Sequence, residues 1–243
     1  MLIYIGIDDT DTIDADRGTG RLARGLAAAL PEGCRARGVV RQQLPRLPGI
    51  PFTSNNSSAC VVVEAGGEEV TEELMAAATA HLAADFIPGS DPGLCVMAED
   101  SRAVPALLAF GRTCCGRIVT QAEAMAAAAG AHLSAHGGTG DGIIGAAAGV
   151  GLTLSGWSGR FVEYGDLRAY PVRVPVRDLE AAGIRVLSVD RDALVPGPED
   201  VVDTGGWLRP RLWAGGPVLP VRQSAAGAWV ADGGGGRQRE REG

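Results

Sequence analysis

The chain has 243 residues, 46% hydrophobic and 5% aromatic, enough for one large domain or two to three small ones with cores filled mainly by small aliphatic side chains. Its formal net charge is -7 and its sequence pI is near 5.0, so nucleic-acid binding would need a local arginine patch or another subunit. Lysine is absent, which excludes both a P-loop lysine and a Schiff-base lysine.

The start, MLIYIGIDD, has no basic stretch and soon turns acidic, unlike a signal peptide. No long apolar run suggests a transmembrane helix, and no membrane partner is expected. The cysteines are Cys34, Cys60, Cys95, Cys114 and Cys115, an odd number without a CxxC pair. That usage fits a reducing cytoplasm and argues against a zinc ribbon. The adjacent Cys114 and Cys115 read either as a redox pair or as ordinary small buried residues.

Leu2 to Ile7 is a β-rich run. Leu22, Leu26 and Leu30 fall four apart in the segment from Thr19 to Leu30, a helical stripe ended by Pro31 and Gly33. Gly38 to Gln43 and Ala59 to Glu64 read as strands, separated by an irregular stretch. Thr71 is a candidate N-cap, with Glu72 and Glu73 in the first turn of a helix reaching Ala84. Leu94 to Ala98 is a further strand. The order β-α-β-β-α-β is the split βαβ of ferredoxin-like domains. Val104 to Phe110 reads as a helix. Thr120 and Glu123 form a capping-box signature ahead of a second helix, with Gly130 placed to end it. A strand follows near His132 to Ala135, then the turn HGGTGDG, then a small-residue helix, IIGAAAGV. Phe161 to Tyr164, Ala169 to Val174 and Pro217 to Val221 are strand candidates.

The expected fold class is α+β. A ferredoxin-like part, 1–100, binds nucleotide and metal, and a second α+β part, 101–174, carries the GTGDGIIGA loop. A small β-rich part covers 175–232, and 233–243 is a glycine and charge tail expected to be disordered.

Four segments carry candidate chemistry. Asp8, Asp9 and Asp11 leave the first strand in one turn. Crowded carboxylates repel unless a cation neutralises them, and hard oxygen ligands select Mg²⁺ or Mn²⁺. The competing explanation is an Asp-rich loop that caps the next helix. A haloacid-dehalogenase loop does not fit, because Ile13 stands where threonine is needed. Second, Arg17-Gly18-Thr19-Gly20 precedes a helix; its backbone N–H groups, with Thr10 and Thr19, suit a phosphate, or the segment is a plain helix-entry turn. Metal and phosphate sites side by side describe a nucleoside triphosphate site. Third, the polar run from Thr53 through Asn55 and Asn56 to Ser58 suits ribose or a polar substrate, or is a solvated loop. Fourth, the glycine turn with Gly138, Gly140 and Asp141 repeats the chemistry of the second and adds a carboxylate. His136 beside it reads as a base or as a structural donor.

Together, IGIDDTDT with RGTG downstream resembles the kinase domain of the archaeal tRNA-isoleucine agmatinylcytidine synthetase family. IPFTSNNSSA is similar to that family's IP(W/F)-x-T-x-x-N-x-A segment. GTGDGIIGAAAGVG is similar to its G-x-G-x-G-(L/I)-I-G-A segment. The collinear match runs from residue 3 to about residue 174. The resemblance implies ATP and Mg²⁺ as cofactors, phosphorylation of a tRNA wobble-cytidine carbonyl, and displacement by agmatine. It places Asp8, Asp9 and Asp11 at the family's acidic motif. Thr19 falls near the family's threonine pair, where this chain reads GTGR. The family continues into an OB-fold and a zinc ribbon that hold tRNA, whereas no cysteine follows Cys115 here.

The resulting expectation is an ATP- and Mg²⁺-dependent enzyme that activates a small polar or nucleoside-like acceptor by phosphoryl or adenylyl transfer, for amine ligation. Asp9, Asp11, Thr19 and Asp141 are the candidate catalytic residues. Thr10, Arg17, Gly18, Gly20, Asn55, Asn56, Gly138 and Gly140 are candidate cofactor contacts, and Asp8, Asp9 and Asp11 candidate metal ligands. Binding of tRNA by this chain alone is not expected. The alternatives are a non-catalytic nucleotide-binding module, or a tRNA-modifying subunit that borrows its RNA-binding part from another chain.

Overall fold

The computed structural model describes residues 1–243 except Pro51, Ser54, Glu68, Glu69, 191–193 and 234–243. Ser54 and the tail beyond Gly233 therefore lie outside the described residues. Two compact units divide the chain, Met1–Val162 and Glu163–Gly243.

The first unit opens with β1 (Leu2–Asp8), α1 (Thr19–Ala28), β2 (Cys34–Gln43), β3 (Ser57–Ala65), α2 (Val70–Asp85) and β4 (Gly93–Ala98). The strands lie side by side as β4-β1-β3-β2, all antiparallel, which is the ferredoxin-like order. Alternation along β1 sends Ile3, Ile5 and Ile7 to one face, each fully buried. That face is covered by Leu22, Ala23 and Leu26 of α1 and by Leu74, Ala78 and Leu82 of α2. Helix α2 begins at Val70, so Thr71 sits inside the first turn rather than capping it.

The other face of the sheet receives α3 (Val104–Cys114), α4 (Gln121–Ala127) and α5 (Gly142–Leu154). Between α4 and α5, β5 (His132–Ala135) extends the sheet beside β4, and β6 (Arg160–Glu163) lies beside β2. The capping box on α4 is complete: the Glu123 amide donates to the Thr120 hydroxyl oxygen, and the Thr120 amide donates to the Glu123 carboxylate. The division expected near residue 100 does not separate compact units. The physical reason is a shared core. Cys60, Cys95 and Met97 of the sheet are buried against Leu107, Phe110, Ala146 and Val150 from the later helices.

Glycines let α5 approach so closely. A Cβ on Gly6 of β1 would stand 2.2 Å from the Ala146 carbonyl oxygen, and one on Gly149 would stand 2.7 Å from Ser58 Oγ. On its other side α5 meets α3, where a Cβ on Gly151 would lie 1.9 Å from the Leu107 carbonyl oxygen. The far end of α5 is held by a buried amide. Gln42 Nε2 donates to Thr153 Oγ1 at 3.0 Å and to the Ser158 carbonyl at 2.9 Å, while its Oε1 accepts from the Ser158 hydroxyl at 2.8 Å.

Gly151→Ala tests this packing. Alanine gains about 1 kcal/mol of helix propensity. A backbone clash at 1.9 Å costs more than that, because neither helix can yield locally. Net destabilisation of about 1–3 kcal/mol is expected from the shift in urea midpoint. An unchanged or raised midpoint would show that α3 and α5 do not meet there.

In the second unit, β7 (Arg173–Pro175) leads into α6 (Val176–Ala181), followed by β8 (Arg185–Ser188), β9 (Val201–Asp203), β10 (Arg211–Trp213), β11 (Gly216–Gln223) and β12 (Trp229–Ala231). Strand β11 is central, antiparallel to β10 and β12 and parallel to β8; β9 joins β12 and β7. Val202, Leu212, Val218, Leu219 and Val221 are buried in this unit, as is Leu179 of α6. The strand expected over Ala169 to Val174 is reduced to β7, and α6 was not expected.

Candidate functional site

The acidic loop turns where β1 ends. Asp9 has φ 51°, a left-handed conformation that Asp tolerates better than most residues. The loop is pinned from beneath: the Ile87 amide donates to the Thr10 carbonyl at 2.9 Å and the Asp91 amide to the Asp9 carbonyl at 3.1 Å. Thr10 is buried, and its hydroxyl donates to Thr19 Oγ1 at 3.1 Å, tying the loop to the start of α1. Gly18 caps α1 in an extended conformation. A Cβ there would lie 2.6 Å from Asp11 Oδ2, so the glycine makes room for that carboxylate.

Arg17 does not reach this site. Its Nη2 lies 3.2 Å from Asp85 Oδ1 and donates to the Asp85 carbonyl, also at 3.2 Å. It braces the loop against α2, which corrects the expectation that it faces a phosphate.

Asp8, Asp9, Asp11 and Thr19 line a cleft of about 380 Å³, together with Asn55, Asn56, Asp141, Gly142 and Gly145. The lining joins these carboxylates to the apolar side chains of Leu44, Ile50, Phe52, Ile118, Val119 and Ile144. Thr10, Gly18, Gly20, Gly138 and Gly140 are not part of its lining. The arginine that does line it is Arg117, which sequence reasoning missed. Arg117 donates to the Glu123 carboxylate and to the Ile118 carbonyl, so the α4 capping box also holds this cation.

Charge crowding marks the carboxylates. Burial, then the charge of Asp9, pushes Asp8 up to about 7, although its side chain keeps an opening to the cleft. Burial, then Asp91, Asp11 and Asp141, pushes Asp9 up to about 6. Burial also raises Asp11, partly offset by a hydrogen bond from Thr53. Among the described residues no three carboxylate, imidazole or thiol groups converge tightly enough to hold a metal ion. The three-aspartate ligand set is therefore not assembled. Asp11 is drawn toward Gly18 and Thr53, and Asp8 lies against Gly145. Mg²⁺ needs only one or two carboxylates beside substrate phosphates, and the crowded Asp8 and Asp9 fit that smaller set.

The glycine turn before α5 holds an anion already. Asp91, unremarked in the sequence, accepts hydrogen bonds from the amides of Thr139, Gly140 and Asp141 and from the Thr139 hydroxyl. Burial raises the Asp91 pKa, but the Thr139 hydroxyl and these amides outweigh it and hold the carboxyl below its usual range. Gly138 and Gly140 were expected to face a ligand phosphate, yet the neighbouring amides are committed to Asp91. Asp141 in turn accepts from Gln121 Nε2 at 2.7 Å, and it reaches the cleft.

His136 lies outside the cleft. Its Nε2 is 2.8 Å from Ser134 Oγ, which also meets His132 Nε2 at 2.9 Å. Cys114 is buried in the cleft wall and Cys115 is exposed. Burial, then the neighbouring Cys115, raises the Cys114 thiol to about 12, so it stays protonated at neutral pH.

The Thr10–Thr19 bond yields a direct test. Thr19→Ala orphans the buried Thr10 hydroxyl, and a loss of about 1–3 kcal/mol is expected in thermal or urea unfolding. Full stability would show that the two hydroxyls are not paired.

No family model and no curated protein matches the chain. Solved structures do. A tRNA fluorescent labeling enzyme is 25% identical with a TM-score of 0.53, covering 62% of this chain and 36% of that one. TiaS in complex with tRNA, AMPCPP and agmatine is 25% identical with a TM-score of 0.50, and TiaS in complex with tRNA and ATP is 24% identical at 0.53, both with the same coverage. TiaS is an agmatidine synthetase for an isoleucine tRNA. The chain spans about a third of the length of these structures. The resemblance read from IGIDDTDT and GTGDGIIGA is thus matched by solved structures. With tRNA in two of those complexes, the expectation that this acidic chain alone does not bind tRNA finds no support. Among the described residues no helix is long and apolar enough to cross a membrane.

Proposed function

We propose that the cleft binds ATP with Mg²⁺ and activates a nucleoside-like acceptor by phosphoryl or adenylyl transfer, preparing it for displacement by an amine. The observation that carries this is the pair of crowded carboxylates, Asp8 and Asp9, which line a partly apolar cleft together with Thr19 at the N-terminus of α1. When bound, Mg²⁺ would neutralise charge on the phosphates and polarise the oxygen under attack. Asp8 and Asp9 would hold it. Thr19 spends an oxygen lone pair on Thr10, which leaves its own proton to donate to a phosphate oxygen. The N–H group opening α1 at Thr19 carries the positive end of the helix dipole and suits the same phosphate. Arg117 supplies the positive charge that sequence proximity assigned to Arg17. Phe52 and Ile118, each about half exposed in the cleft wall, suit a planar base and exclude water around it. Asn55 and Asn56 would contact ribose or acceptor. Asp141 would take the acceptor's proton, and Asp11 would orient the loop through Thr53.

A tRNA acceptor has support of its own. Arg41 on β2, Arg160 on neighbouring β6 and Arg46 gather beside the cleft rim, where Arg41 donates to Ser57 Oγ and Arg46 to Asn55 Oδ1. Burial, then repulsion from Arg160 and Arg46, lowers the Arg41 pKa. This is a local arginine patch on an acidic chain. The TiaS complex with tRNA, AMPCPP and agmatine supports the same reading.

The test is a product assay with purified protein, Mg²⁺–ATP and unmodified tRNA. ADP, or AMP with pyrophosphate, released only with acceptor present, is the expected result, and binding should weaken steeply with salt. No release under any acceptor would leave a nucleotide-binding module and refute the proposal.

A further inference from the structure

We infer that Asp91 is a positioning residue: its carboxylate fills an anion nest in the glycine turn and so sets Asp141 and Asp9 at the cleft. The inference rests on the proposed use of those two carboxylates, but the nest itself is read from geometry alone. Gly138 and Gly140 have φ of 58° and 86°, the left-handed conformations that turn successive N–H groups inward around one concavity. Such concavities usually hold phosphate or another external anion. Here the donors converge on Asp91: the Thr139 amide at 3.1 Å, its hydroxyl at 2.5 Å, the Gly140 amide at 2.8 Å and the Asp141 amide at 3.0 Å. The fit leaves no slack, since a Cβ on Gly138 would stand 2.7 Å from the Asp91 carboxyl carbon and one on Gly142 1.9 Å from its carbonyl oxygen.

Asp91 also reaches the acidic loop, because its own amide donates to the Asp9 carbonyl at 3.1 Å. One residue thus spans both loops that face the cleft. It fixes the backbone of Asp141 and supports that of Asp9, without lining the cleft itself. A neutral amide in its place cannot do the same. An asparagine has one acceptor oxygen, and its NH₂ would face backbone N–H groups that are themselves donors.

The experiment is anion rescue in the full chain. Asp91→Ala empties a nest shaped for a carboxylate, and sodium formate is the probe, with sodium chloride at equal ionic strength as control. The variant is expected to melt several degrees below wild type. Formate should raise its melting temperature and leave wild type unmoved. Turnover should fall about 10–100-fold in kcat, with KM for ATP changed far less, and formate should restore part of it. Asp91→Asn, which keeps the volume, should show the same kcat loss without rescue. Should the alanine variant not fold, hydrogen exchange in wild type decides. Protected amides at Thr139, Gly140 and Asp141 support the nest, and rapid exchange overturns it. A folded alanine variant that is indifferent to formate also overturns it. Formate rescue of stability in a protein without turnover would uphold the nest while refuting the proposed function.

Discussion

Gly145→Ala is expected to disable the cleft without a chemical group being removed. A Cβ at this position would stand 1.5 Å from Asp8 Oδ2 and 3.0 Å from Asp8 Cβ. Two responses are open to the protein. Helix α5 can lift from the sheet, which Gly6 and Gly149 show to be held at close contact. Otherwise Asp8 rotates away from its place against the helix. Lifting α5 disturbs the core that includes Ala146 and Val150, at a cost of about 1–3 kcal/mol or more. Rotating Asp8 takes one of two proposed ligands out of position, and misplacement by about 1 Å can cost roughly 100-fold in rate. Either response lowers turnover by about two orders of magnitude. Gly149→Ala is the control. Its Cβ would crowd only the Ser58 side chain, with the hydroxyl at 2.7 Å, and that hydroxyl can rotate aside while α5 stays seated, so it should cost stability with little change in turnover. Equal activity in Gly145→Ala and wild type would remove Asp8 from the site.

Asp9→Asn is expected to abolish Mg²⁺-dependent turnover while leaving the apo protein as stable as wild type or slightly more so. The substitution keeps shape and removes one charge. In the free protein Asp9 is half-buried and faces Asp91, Asp11 and Asp141, with no cation among the groups that shift it. Removing its charge relieves desolvation and repulsion, so the apo form should melt about 1–3 °C higher at neutral pH. With ligand the sign reverses. Mg²⁺ relies on few carboxylates, and losing one of two should lower turnover at least about 100-fold. A structural role predicts another pattern: Asn also tolerates the left-handed φ of 51° and would change neither quantity.

The parts of this fold that were legible from the sequence are those set by local periodicity. Ile3, Ile5 and Ile7 alternate, Leu22 and Leu26 fall four apart, and Thr120 with Glu123 marks a helix start. The same local signals carried the βαββαβ order. What stayed hidden depends on residues far apart in the chain. Asp91 meets its donors 48 to 50 residues downstream. The place of Arg17, against α2 rather than in the cleft, has the same origin. Proximity in sequence placed Arg17 beside the phosphates, but its partner is Asp85, brought in by α2. The glycines of GTGDGIIGAAAGVG signalled a ligand loop. Their visible work in the structure is helix-to-sheet contact, with Gly138 and Gly140 shaping a nest for the protein's own carboxylate.

The central claim is that the aspartate end of the cleft binds a Mg²⁺-nucleotide. It is tested most directly by paired thermal melts of wild type and Asp9→Asn, each with and without Mg²⁺–ATP. Ligand at about 100 times its dissociation constant stabilises by about 2.7 kcal/mol. For a chain of this size that is a rise of about 5–10 °C. Wild type should show that rise, ATP without Mg²⁺ should give much less of it, and Asp9→Asn should show almost none. Equal ligand-induced shifts in both proteins would contradict the assignment of Asp9, and no shift in wild type would contradict the site.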